Sequence, residues 1–350
     1  MINGILTVVY YSIFIITSSF LLLLSSVLKK TNIFFYLAVF FSVFFSGFRF
    51  NAGNDFPTYY AMAIGWVDYS RLEFIPRIIM ELSVYLNSPS IFFFITSVIY
   101  ITCVSLFCRK MSENKELSFF LFLVLPLSFL TSLGYVRQFI SIGFFIAALS
   151  FYIENKRKTS ILFMIFSVLC HATAVFAIPF IFLFNILSRR KVPLFISIIL
   201  IMISYASSKL IYEFAYLTGD YQHYITGTNV VEAGKKIGYV CISLLAYFYI
   251  FGKKINKEKD IYFFNIFLIF CCIYVLLMDF GEYVVRIAYF FFPAAWILFP
   301  KTIRFKGLAG IFQAALIVIF GLLMYYATLY FALMNTTRDF LTNYSFIFFN

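Results

Sequence analysis

The sequence predicts an all-α polytopic integral membrane protein, and three observations predict it. Hydrophobic residues fill 63% of the 350 positions and charged residues only 12%, about half the roughly 25% typical of a soluble domain. Mean hydropathy is +0.96. The apolar runs continue unbroken for about 15 to 25 residues, whereas barrel strands alternate. These features exclude a soluble globular enzyme, a disordered chain, a small disulfide scaffold and an outer-membrane barrel.

Taken in order, apolar stretches bounded by charge or turn residues give about twelve transmembrane or half-membrane helices. They lie near 4–28, 33–48, 89–108, 117–133, 136–153, 160–170, 173–187, 193–211, 237–252, 261–278, 286–300 and 308–331. A full crossing needs about 20 residues. Segments 160–170 and 173–187 fall short of that, so they read as half-helices meeting at His171. Two longer segments lie between spans. Residues 49–88 hold an amphipathic helix near Pro76–Leu86, and residues 212–236 are rich in Tyr, Gly and Thr. No internal repeat or composition shift appears, and residues 1–350 read as a single transmembrane domain. The N-terminus lacks a basic region and a small-residue cleavage site, so the first span is expected to be retained.

The net charge of +12 follows the membrane. Basic clusters recur between spans: Lys29-Lys30, Arg109-Lys110, Lys156-Arg157-Lys158, Arg189-Arg190-Lys191, Lys253-Lys254, and Lys301 with Arg304 and Lys306. With each half-helix counted as one passage, 18 of the 27 Lys and Arg fall on one side and nine on the other. This is the asymmetry of cytoplasmic loops, and it places both termini outside. A nucleic-acid partner is not expected. The six Cys (103, 108, 170, 241, 271 and 272) lie in or beside apolar spans without zinc-like spacing. Neither a disulfide framework nor a metal site is expected.

Polar residues gather at the external ends of spans. Arg49, Asn51, Gly53, Asn54, Asp55 and Tyr59 follow the second span; Gly134-Tyr135-Val136-Arg137-Gln138 opens the fifth; Cys170-His171-Ala172-Thr173 forms the break; Glu282 and Arg286 precede Tyr289 and Phe290. Ionisable residues near a bilayer are costly and mark function by default. A guanidinium stays charged when desolvated, and its fork matches two phosphate oxygens. Arg137 and Arg286 also lie near expected helix starts, where the macrodipole favours an anion. Arg49, Arg137 and Arg286 are therefore candidate diphosphate ligands, expected to line one external cavity. Local pairing is the alternative for Arg286, four residues after Glu282. His171 and Asp55 are the candidate catalytic bases. His171 ranks first, because a neutral imidazole accepts a proton near pH 7 and an unperturbed carboxylate is the weaker base. A structural hydrogen bond for His171, and an Asx turn or helix cap for Asp55, stand beside those roles. Arg71, Arg77, Asp68, Glu73 and Glu81 read as a solvated mixed-charge face.

At these residues the chain resembles the EpsG-type branch of the bacterial Wzy polysaccharide polymerases. That branch carries an R-x-x-x-G-x-D-x-x-x-Y element, matched by Arg49, Gly53, Asp55 and Tyr59. A G-Y-x-R-Q element is matched by Gly134, Tyr135, Arg137 and Gln138, an H-x-[ST]-A element by His171, Thr173 and Ala174, and an R-x-x-Y-F element by Arg286, Tyr289 and Phe290. The resemblance runs over roughly residues 30–300. One departure is Leu72-Glu73-Phe74-Ile75, where many relatives have a Glu-Pro-Gly-like turn.

The resemblance implies a multi-pass glycosyltransferase of the bacterial inner membrane, GT-C-like in architecture and acting on the periplasmic or external face. It would join undecaprenyl-pyrophosphate-linked repeat units into O-antigen, capsule or exopolysaccharide without metal or cofactor. Tyr59, Tyr135, Gln138, Tyr289 and Glu282 would contact substrate, and membrane lipids and a chain-length regulator protein would be further partners. A related lipid-linked glycan ligase would use the same chemistry. A lipid-linked oligosaccharide flippase is the alternative class, but it should carry cations deep in its spans and show repeated halves. A membrane O-acyltransferase would place its histidine on the cytoplasmic side.

Overall fold

A computed structural model describes residues 2–28, 32–218, 228–280, 282–303, 307–334, 341 and 343–349. Its helices are α1 (Ile2–Val27), α2 (Ile33–Gly47), α3 (Phe56–Ala63), α4 (Phe74–Tyr85), α5 (Pro89–Met111), α6 (Lys115–Val124), α7 (Phe129–Ser132), α8 (Val136–Ile153) and α9 (Arg157–Cys170). Three four-residue turns follow: α10 (Ala174–Ala177), α11 (Pro179–Phe182) and α12 (Phe184–Leu187). Then come α13 (Leu194–Thr218) and the helices Thr228–Phe251, Glu258–Leu277, Ala294–Thr302 and Gly307–Met334. Among the described residues six helices are long and apolar enough to cross a membrane, and Ile33–Gly47 is a shorter apolar one. The protein is an all-α polytopic membrane protein.

Four segments differ from the sequence reading. The first is 173–187, expected as one half-helix and found as the three short turns α10, α11 and α12, with Pro179 opening the second. The span expected at 117–133 stops at Val124 and resumes at Phe129. Pro126 has no N–H to continue the helix, and Leu127 turns with φ 56°. The helix expected at 286–300 is a 3₁₀ segment, Arg286–Phe291, followed by Ala294–Thr302 after Pro293. Helical structure also runs through 212–218 and 228–236, taking in much of the stretch read as a loop. Of that stretch, 219–227 lies outside the described residues.

The chain divides into two compact units, Met1–Val175 with Ala315–Asn350, and Phe176–Ala314. In the first unit α2, α5, α8 and α9 pack in sequence. Lipid tails are as apolar as Leu, so such helices associate through close packing and polar contacts. Gly47 allows that approach at the α2–α5 contact, since a Cβ there would lie 2.9 Å from the Phe94 Cα. Serines bond across helices. The Ser46 and Ser97 hydroxyls are 2.7 Å apart, and Ser141 and Ser167 exchange bonds to each other's carbonyls at 2.7 and 2.8 Å.

The C-terminal tail closes on the same unit. β1 (Arg49–Phe50) pairs antiparallel with β2 (Ser345–Phe346), with Arg49 opposite Phe346. Tyr344 stacks on Phe45 with centroids 4.3 Å apart and donates its hydroxyl to the Phe45 carbonyl at 2.8 Å. These contacts fix the backbone leaving α2.

The second unit centres on Glu258–Leu277. Asn265 donates to the carbonyls of Leu187 and Arg190 at 2.7 and 2.8 Å, and accepts from Val192 N–H at 3.1 Å. Near one end of this helix Lys301 meets fully buried Asp260 at 2.9 Å. Beyond the other end Asp279 binds Lys209 at 3.0 Å and Lys235 at 3.1 Å. Each buried carboxylate has a cation, as burial in low dielectric demands.

Candidate functional site

The site begins with how two distant backbone turns meet. Gly53 has φ +101°, a conformation open to glycine, and a Cβ there would lie 1.9 Å from the Leu133 carbonyl oxygen. That contact lets the loop after β1 dock on the turn before α8. The docked loop is then hydrogen-bonded. Asp55 N–H donates to the Gly134 carbonyl at 3.2 Å, and Asn54 Nδ2 donates to the Tyr135 hydroxyl at 3.2 Å. The first two sequence elements are thus one physical joint.

Arg49 holds that joint from inside. It is 2% exposed, and its guanidinium donates to the carbonyls of Ser46 at 2.5 Å, Ala52 at 3.0 Å and Leu133 at 3.1 Å. The Phe93 ring lies 4.7 Å from the guanidinium carbon. Burial pulls the Arg49 pKa down to about 10, so the group stays charged at neutral pH.

Arg137 sits in the first turn of α8. Its Nη1 meets Glu73 Oε2 at 2.7 Å and its Nε donates to the Tyr59 hydroxyl at 2.7 Å. The other oxygen of Glu73, Oε1, lies 2.9 Å from His171 Nδ1. Burial raises the Glu73 pKa, but the His171 hydrogen bond and the Arg137 charge outweigh it and hold the carboxyl down at about 2. An ionised carboxylate can only accept, so Nδ1–H of His171 donates to it, and in the neutral ring that leaves Nε2 as the acceptor nitrogen. Burial, then the Asp55 charge, pushes the Tyr59 hydroxyl above its ordinary range, so it stays protonated. The side chains of Arg137, His171 and Glu73 remain 33%, 25% and 23% exposed, which leaves the cluster open to a ligand.

Local structure explains why these groups converge. Glu73 is the N-cap residue of α4: its carbonyl accepts from Arg77 N–H at 2.9 Å, but its side chain makes no capping bond and turns to other partners. His171 terminates α9 with extended backbone, φ −162° and ψ 121°. Asp55 occupies the cap position of α3 without a side-chain capping bond. Four helix ends therefore meet, bringing Asp55, Glu73, Arg137 and His171, and α3 adds Tyr59 one turn in.

The structure brings together Asp55, Tyr59, Arg137 and His171, with Arg49, Tyr135 and Gln138 on the same joint or helix. Tyr135 and Gln138 are buried. Arg286 and Tyr289 belong to the second unit. Arg286 opens a 3₁₀ helix and not the α-helix start expected for it, and Tyr289 is buried at 1%. Glu282 starts the short helix Glu282–Val285, and its side chain lies outside the described residues.

Glu73 is the residue the sequence reading missed. It stands in a mixed-charge stretch and reads as one of a solvated face. Its one signal is position, inside Leu72-Glu73-Phe74-Ile75, the stretch where the chain departs from the Glu-Pro-Gly-like turn of the family it resembles.

The fold and the site define an integral membrane protein that sets a guanidinium, a carboxylate and an imidazole side by side at its helix ends. The chain belongs to the EpsG family, whose model matches residues 32–346. That membership supports a polymerase-type function in polysaccharide biosynthesis. No curated protein and no solved structure matches the chain.

Proposed function

We propose that the protein is a membrane glycosyltransferase that extends a polysaccharide by joining undecaprenyl-pyrophosphate-linked oligosaccharide units at the external face of the bacterial inner membrane. The observation that carries this reading is the Glu73 carboxylate shared between Arg137 and His171.

In the proposed reaction the acceptor sugar hydroxyl gives its proton to Nε2 of His171, while Glu73 holds the ring through Nδ1. Such orientation of an imidazole by a carboxylate fixes its tautomer and steadies the imidazolium that forms. The acceptor oxygen bonds to the donor's anomeric carbon as the bond from that carbon to the diphosphate oxygen breaks. The leaving diphosphate takes the electron pair. Arg137 binds it with the α8 N-terminus behind, both stabilising the developing charge. In the resting chain Glu73 is the anion at that place, so an incoming diphosphate competes with it for the guanidinium. Asp55 orients the acceptor sugar, and Tyr59, Tyr135 and Gln138 complete that end of the site. Arg286 and Tyr289 carry proposed phosphate- and sugar-binding roles by the same chemistry.

Glycan length in a strain lacking the protein tests the reading. A polymerase deletion leaves one repeat unit on the final carrier. Almost no glycan on the carrier would instead identify a transporter of lipid-linked units. An unchanged ladder of long chains would overturn both.

A further inference from the structure

We propose that α4 is an interfacial helix whose outward apolar stripe rests in lipid at the membrane–water boundary where α5 begins. Helix α4 has two unlike apolar sectors. Pro76, Ile79, Met80 and Ser83 face inward and are buried. On the opposite side Phe74, Ile78, Leu82 and Tyr85 are 51%, 46%, 41% and 81% exposed. At about 100° per residue the outward four fill a sector of roughly 80°. Arg77 and Glu81 adjoin one edge of that sector, with Nε and Oε1 3.8 Å apart.

Four large apolar side chains in one stripe beside a charged pair match a helix lying in the headgroup region. The chain's own geometry selects lipid as the occupant. Only Leu86, Asn87 and Ser88 separate α4 from α5, and so short a connector reaches about 13 Å at most. Asn87 turns with φ 50°. The connector is clamped, with Ser88 N–H donating to the Ser83 carbonyl at 3.0 Å and the Ser83 hydroxyl to the Ser88 carbonyl at 2.7 Å. Helix α5 is 23 residues long and apolar enough to cross a membrane; a crossing by its full length puts its first turn at the boundary and the end of α4 with it. Tyr85, at that end, is the residue type enriched at such boundaries, and exposed Arg71 with Arg77 suits lipid phosphates.

The placement has a consequence that rests on the proposed function. Glu73 immediately precedes α4, so an interfacial α4 holds the Glu73–Arg137–His171 cluster at headgroup depth, where the diphosphate of a lipid-linked donor lies.

Fluorescence quenching tests the placement without relying on activity. The chain has two tryptophans, and Trp296 is buried at 1% while Trp66 is 82% exposed. On a Trp66→Phe background, Tyr85→Trp and Leu82→Trp each put a reporter on the stripe at an exposed position. The full-length variants are reconstituted in phosphatidylcholine vesicles brominated either near the glycerol or near the chain methyl, and the Trp66→Phe parent supplies the Trp296 background. The expected result is at least about twofold stronger quenching by the bromines near the glycerol, with little by aqueous iodide. Quenching by iodide alone puts the helix in water, strongest quenching near the chain methyl puts it in the hydrocarbon, and quenching by neither means that protein covers it. Each of those three overturns the proposal.

Discussion

Glu73 and His171 stand 98 positions apart in sequence and 2.9 Å apart in space. That bond makes the carboxylate a positioning residue for the imidazole under the proposed function. Replacing Glu73 by Gln keeps a polar group but removes the charge that sets the ring's tautomer. Glu73→Gln is expected to lower polymerisation by about 10²-fold, with His171→Ala at least as severe. The double variant should be no worse than His171→Ala, because the two groups act as a unit. Glycan laddering at matched membrane levels reads all three. Full-length polymer in His171→Ala alongside complete loss in Asp55→Asn would move the base to Asp55.

Arg137 gives a second test. Its Nε and Nη1 bind two different partners, Tyr59 and Glu73. Lysine keeps the charge but cannot reproduce the fork. Arg137→Lys should cut activity by about tenfold or more while leaving thermal stability within about 1 kcal/mol, since Glu73 retains a cation nearby. Normal activity in this variant would count against a phosphate-binding role.

The acid limb of stability should report Glu73 as well. Its pKa is depressed to about 2 by its partners, so its pairing is fully present above the ordinary carboxylate range. That contribution is lost as pH falls from about 4.5 toward 2. Thermal unfolding of the detergent-solubilised protein between pH 6 and pH 3 should therefore show a shallower decline in Glu73→Gln than in the parent. Identical slopes would mean that the pair contributes nothing to stability.

Much of the fold is legible because each span ends in charge or a turn residue, and α5, α8 and α9 fall close to where the apolar pattern places them. The break at His171 is legible for the same reason. Glu73 is not, because its partners lie 64 and 98 positions away. Local spacing puts Arg77 four residues after Glu73 and four before Glu81, so Glu73 reads as one charge of a solvated face. Arg137 has no acidic neighbour in sequence, so it too reads as unpaired. The end of α6 escapes a hydropathy reading because Pro126 sits inside an apolar run, where backbone chemistry overrides side-chain polarity.

Two glycines with positive φ separate backbone strain from collision. Gly65 has φ +80° and nothing near an added Cβ, whereas Gly53 has φ +101° and the Leu133 carbonyl within 1.9 Å. Gly65→Ala should cost about 1–2 kcal/mol from conformation alone. Gly53→Ala adds a backbone clash at the joint, so a loss of more than about 3 kcal/mol is expected, with poor recovery from the membrane. Equal melting temperatures for the two variants would show that the loop and the α8 turn are not docked as described.

Arg49 and Arg137 are both arginines of short motifs, yet their surroundings predict opposite phenotypes. Arg137 is partly open and meets side chains, while Arg49 is buried and meets three main-chain carbonyls contributed by Ser46, Ala52 and Leu133. A lysine at position 49 brings a single nitrogen on a flexible stem, which cannot span the same three acceptors. At least one carbonyl and part of the buried charge then lose their partners, and each such loss costs about 1–3 kcal/mol. Arg49→Lys should therefore lower the melting temperature and the activity together, where Arg137→Lys lowers activity alone. Measuring both variants by thermal unfolding and by glycan laddering separates a residue that shapes the site from one that binds its ligand. A stable but inactive Arg49→Lys protein would transfer Arg49 to the second group.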